Sequence, residues 1–136
     1  MSSESASTYA IPGSDVIYTI SANNTGTGPV DVNTIDIIDS LPDRATFFNG
    51  DIDGPDPATG SVIFTQTGSG LTFTPATDLA FSNAPTKPSN FAGCTYTPTS
   101  GYDANVTFIC FNPKGSLNPG SLSTSEFSFQ FRAQVK

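Results

Sequence analysis

The stretch Ile11-Pro12-Gly13-Ser14-Asp15-Val16-Ile17-Tyr18-Thr19-Ile20-Ser21-Ala22-Asn23-Asn24-Thr25-Gly26 decides the fold. Pro12-Gly13 is a turn signal. From Asp15 onward Val16, Tyr18, Ile20 and Ala22 alternate with Ile17, Thr19, Ser21 and Asn23. A period of two predicts a strand with the first set facing a core and the second facing water. Asn24 to Pro29 reads as a loop, with Gly26 and Gly28 supplying backbone freedom. Val30 to Ile38 reads as the next strand, with Ile35 and Ile37 on one face and Asp36 on the other. Asp39-Ser40-Leu41-Pro42 closes it, and Asp39 is expected to cap that turn through its own backbone.

The same period returns at the other end of the chain. In Glu126 to Lys136 the residues Phe127, Phe129, Phe131, Ala133 and Val135 alternate with Ser128, Gln130, Arg132 and Gln134. Five apolar positions at strict period two require one buried face, so this strand is expected at the centre of a sheet. Between the two ends, Ala45–Phe48 and Asp78–Ser82 read as short strands. Ser61–Thr67 and Leu71–Thr74 read as a hairpin turned at Gly68-Ser69-Gly70. Seven to ten short strands separated by turns predict an all-β antiparallel sandwich. The polar, Ser-rich residues 1–8 read as a flexible or edge segment of a single domain spanning 1–136.

Composition limits the functions available. The 136 residues include 11 Phe, 4 Tyr, 12 Gly and 11 Pro, but no His and no Trp. The net charge is −7 with only five basic residues, which argues against nucleic acid as a partner. No apolar run approaches the roughly 20 residues of a membrane span, so no membrane insertion is expected. The start Met-Ser-Ser-Glu carries no signal peptide and reads as a trimmed beginning.

Cys94 and Cys110 are the two cysteines. If Cys94–Thr97 and Val106–Cys110 form a hairpin about Ser100-Gly101-Tyr102-Asp103, the two cysteines face each other. Tyr96 then lies opposite Phe108, and Pro98 opposite Val106. That spacing suits a disulfide and hence an oxidising compartment; a pair of buried free thiols is the other reading. Two Cys with no His do not complete a usual zinc shell.

Pro12-Gly13, Val16, Tyr18-Thr19-Ile20, Asn24-Thr25-Gly26 and Asp39-Ser40-Leu41-Pro42 together resemble the bacterial conserved-repeat cell-surface domain, a domain-of-unknown-function family. Phe129 to Val135 suits that family's final strand, and the middle of the chain looks like its longer proteobacterial variant. The resemblance implies an immunoglobulin-like sandwich of Greek-key type on secreted or surface proteins, and it carries no catalytic residue across. Some surface domains of that general shape join a buried Lys to an Asn beside a carboxylate. Lys87, Lys114 and Lys136 all lie outside apolar strand patterns, which reads against such a bond here.

Without His, neither a Ser-His-Asp nor a Cys-His arrangement is available, and the chain reads as not an enzyme. The sharpest local signal is acidic. Asn49, Asp51, Asp53 and Gly54 match the opening of a calcium loop, and Asp56 adds a further oxygen donor. The twelfth position is Gly60 rather than the bidentate Glu, so a solvated turn is the competing reading. The leading expectation is a non-catalytic extracellular, cell-surface or periplasmic module that acts as a spacer, in adhesion, or in assembly with protein partners or itself. The alternatives are a calcium- or glycan-binding module using residues 49–57, and a fibre subunit pairing through residues 2–10.

Overall fold

The computed structural model describes residues 12–42, 45–50, 52, 60–121 and 123–136. Among them are eight strands: β1 (Asp15–Asn23), β2 (Ile37–Ser40), β3 (Ala45–Asn49), β4 (Val62–Thr67), β5 (Leu79–Ser82), β6 (Gly101–Asp103), β7 (Phe108–Phe111) and β8 (Glu126–Val135). A single helical turn, α1 (Pro75–Asp78), precedes β5, and one 3-10 turn covers Phe91–Gly93. All strand pairs are antiparallel and fall into two sheets in a sandwich-like arrangement. No helix of the described residues is long and apolar enough to cross a membrane.

The larger sheet is organised by β8. Its first edge pairs with β1 from Asp15↔Gln134 to Asn23↔Glu126. Its other edge is shared. β4 takes Glu126 to Phe131, and β3 takes Ala133 to Val135. β6 extends the sheet beyond β3. The alternation read from the sequence holds along both long strands. Phe127, Phe129, Phe131 and Ala133 are buried, and in β1 the burial alternates with Ile17 on the wet side.

The smaller sheet runs β2-β7-β5. β7 is buried on both faces, one against the main core and the other under the cluster of Cys94 and Phe91. Ile109 and Phe111 join the main core, where the Phe111 ring stacks on Phe129 of the opposite sheet at 4.3 Å between centroids. Phe47 of β3 meets Phe81 of β5 at 5.0 Å. These contacts between the sheets carry the aromatic packing that holds the layers together.

Three expectations about pairing are corrected. Only Ile37 and Ile38 of the stretch Val30–Ile38 lie in a strand. Asn33 adopts φ 58° and Val30 donates its amide to Leu117 O, so the chain turns there. Ser61–Thr67 and Leu71–Thr74 do not pair with each other. β4 lies on β8, whereas Thr72 bridges Lys114. Gly68 and Gly70 at φ 64° and 76° turn the chain between those two sets of partners, and a two-strand ribbon does not form. The cysteine hairpin is also absent. β7 already has β2 on one edge, with Ile38 opposite Cys110, and β5 on the other, with Ala80 opposite Cys110. No edge is left for Cys94, and β6 pairs with β3 instead.

Candidate functional site

Cys94 and Cys110 do form a disulfide, with Cα atoms 6.6 Å apart. Since both edges of β7 are taken, Cys94 approaches from the outer face of the smaller sheet. It arrives just after the 3-10 turn Phe91–Gly93, which the Asn90 side chain caps by accepting the Gly93 amide. Phe91, Cys94, Phe108, Cys110, Ile38 and Ala80 form a second, smaller apolar cluster on that face. Asp36 accepts the Phe91 amide at 2.9 Å and ties the same turn to the chain before β2.

The buried carboxylates hold loops. Asp78 is almost fully enclosed and ends α1. Its oxygens accept from the Thr74 amide at 2.7 Å and the Thr77 hydroxyl at 2.9 Å, and Lys114 Nζ lies 2.8 Å away. Burial pushes its carboxyl up, but the Lys114 ammonium and these donors together outweigh it and hold the pKa below the usual carboxylate range. Asp103 at the end of β6 is equally enclosed, with no ion-pair partner among the described residues. It accepts from the Thr99 amide (2.8 Å), the Tyr96 hydroxyl (2.7 Å) and the Asn105 amide (2.8 Å). Burial again pushes up, and these hydrogen bonds pull the pKa below its ordinary value.

Lys114 Nζ also lies 2.7 Å from Asn112 Oδ1. Tertiary structure therefore does place a lysine beside an asparagine and a carboxylate, which the sequence pattern did not suggest. The arrangement is an ion pair. An ionised Asp78 is a counter-ion, whereas joining amine to carboxamide needs a protonated acid to polarise the amide.

Asp39 is corrected as well. It lies within β2 opposite Ile109, and among the described residues its side chain caps no turn. Burial raises its pKa, and Lys87 partly offsets this.

The outer face of the larger sheet carries a part-exposed cluster of charged and aromatic groups. Asp15 (β1), Arg132 (β8), Phe48 (β3) and Tyr102 (β6) meet there across four strands. Arg132 is ion-paired with Asp15, and Tyr102 donates its hydroxyl to Asp15 at 2.8 Å. The Arg132 guanidinium lies 4.5 Å from the Phe48 ring centroid, a cation–π distance, and the Phe48 and Tyr102 rings are 4.9 Å apart. The hydrogen bond to Asp15 raises the Tyr102 pKa and, with the ion pair, that of Arg132. Every charge in the cluster is matched, so it suits binding or strand cohesion, not proton transfer. No spacing or motif in the sequence marks these four residues as a group. Its one local signal is Phe47-Phe48, since adjacent residues of a strand face opposite ways and one Phe had to be outside.

Of the calcium residues, Asn49 closes β3, and its side-chain amide donates to Thr99 O at 3.0 Å. Asp51, Asp53, Gly54 and Asp56 lie outside the described residues, as do residues 2–10. Among the described residues no group of three or more His, Cys, Asp or Glu is placed to hold a metal ion. Comparison with protein-family models, curated proteins and solved structures finds no match to this chain.

Proposed function

We propose that this chain is a non-catalytic structural module with an immunoglobulin-like topology, of the conserved-repeat surface-domain kind. It would be exported from a bacterial cell and serve as a spacer, adhesion or assembly domain. The observation that best supports this reading is the use made of the buried polar groups. The Asp78 and Asp103 carboxylates are saturated by amides, hydroxyls and one ammonium, and each one fastens a loop to the sandwich. An acid, base or nucleophile would instead present an unsatisfied group to a cavity. The disulfide supports an oxidising compartment, because such bonds persist there and are rare in reducing cytosol.

The test is fractionation of the native host with thiols alkylated before lysis. The expected result is protein outside the cytoplasm with neither cysteine alkylated. Cytoplasmic protein with both thiols labelled overturns the proposal.

A further inference from the structure

We infer that this chain associates with a second copy of itself by antiparallel pairing of β1 with the partner's β1. The inference names the partner of the assembly role proposed above and rests on that reading.

β1 is nine residues long, and among the described residues β8 is its only partner. Its other edge runs for about 30 Å at the usual rise per residue. The hydrogen-bonding parity of that edge follows from its ends. Ser14 O accepts from Val135 N, and Asn24 N donates to Ser125 O. In an antiparallel ladder alternate residues bond the same neighbour. The amides of Val16, Tyr18, Ile20 and Ala22 are therefore committed to β8. Those of Asp15, Ile17, Thr19, Ser21 and Asn23 point to the open edge.

The side chains suit a two-fold axis through Thr19. With Thr19 opposite its own copy, Ile17 faces Ser21, and Asp15 faces Asn23. On the inner side Val16 then faces Ala22, and Tyr18 faces Ile20. Apolar meets apolar on the core side throughout. Val16, Tyr18, Ile20 and Ala22 are only half-buried in one copy, because among the described residues no strand lies beyond β1. A second copy would complete their burial and run one continuous sheet through both molecules.

Charge does not oppose the join locally. Asp15 is the one charged residue of the strand, and Arg132 of the same chain already neutralises it. A bulge of Gly13 and Ser14 against Val135 lies just before the strand, but the strand itself carries few devices against self-pairing. Asp15–Asn23 contains no Pro, no Lys and no glycine, and its register with β8 runs without a bulge.

Sedimentation velocity over a hundredfold range of concentration tests the inference on the full, oxidised chain. Wild type should shift from monomer to dimer, more readily at higher salt because each copy carries −7. Thr19→Pro removes an outward amide and should weaken association about tenfold or more without loss of fold. Thr19→Lys and Thr19→Glu each set like charges face to face at the axis, and each should sediment as monomer. Mixing the two should restore a dimer containing one of each. These two side chains lie on the wet face, so they keep the test decisive if Thr19→Pro fails to fold.

Association should survive deletion of residues 2–10, and its loss would overturn the inference in favour of strand exchange by that segment. A wild type monomeric at every concentration, or Lys and Glu variants that dimerise alone, would also overturn it. A monomer found oxidised outside the cytoplasm would remove self-pairing and leave the structural-module reading standing.

Discussion

Gly120 sits against the loop that follows β1, where a Cβ would lie 1.8 Å from Asn24 O. The two loops close one end of the sandwich at a distance only a hydrogen side chain permits. Gly120→Ala must push them apart and is expected to cost about 1–3 kcal/mol in urea unfolding. Gly28→Ala has nothing within 4 Å and an ordinary backbone, so it should fall within about 0.5 kcal/mol of wild type. Asp103 is the other position where one side chain decides a loop. Asp103→Ala strands the Tyr96 hydroxyl and the Thr99 and Asn105 amides, and is expected to cost about 1–3 kcal/mol or more. The pH dependence has a definite sign. Asp78 and Asp103 titrate below their unfolded values, so their contribution is complete above an ordinary carboxylate pKa. It is lost as pH falls through the folded values. Asp39 acts oppositely. Its pKa is raised, so its ionised form costs stability above the raised value. Asp39→Asn should therefore be more stable than wild type near neutral pH and no different once pH lies below both Asp39 values. Urea midpoints measured from acid to neutral pH check both signs.

At the scale of elements, β8 and the disulfide carry separate parts of the stability. Phe129 is fully buried and touches rings of Phe64, Phe73, Phe111 and Phe127. Phe129→Ala should cost about 3–5 kcal/mol, because the rings around it belong to both sheets and cannot all close on the void. The disulfide closes a separation of 16 residues, and its loss should cost about 3 kcal/mol in the chain-entropy model. Reduction should act locally first. The bond holds the Phe91–Gly93 turn over β7, while the main core lies on the other face of that sheet. Hydrogen exchange after reduction should therefore accelerate around residues 90–96 before the β8 amides change. Simultaneous loss of protection in both regions would contradict that order.

For the whole molecule the dominant long-range term is repulsion. Twelve acidic residues face five basic ones, and the described ion pairs are Asp78–Lys114 and Asp15–Arg132. Screening should reduce the repulsion more than it weakens the Asp78–Lys114 pair, whose carboxylate is enclosed. The melting temperature is expected to rise as sodium chloride goes from low to physiological concentration, and a fall would show that the ion pairs outweigh the net charge.

The all-β class, the faces of β1 and β8 and the central place of β8 were legible in the sequence by itself; the Cys94–Cys110 bond forms as expected, but not through the hairpin from which it was expected. Alternation and turn residues act within a few positions, and a strand with five apolar residues on one face can be satisfied only inside a sheet. Tertiary structure alone decided which strands are neighbours. Local pattern favoured nearest-neighbour hairpins at 61–74 and 94–110. Competition for the edges of β8 and β7 sent β4 to β8, gave β7 to β2 and β5, and left Cys94 to cross above the sheet. The same competition assembled the Asp15–Arg132–Phe48–Tyr102 cluster, whose members are up to 117 residues apart and whose one local trace is the Phe47-Phe48 pair. It also left β1 at the end of the larger sheet, with one edge unpaired among the described residues.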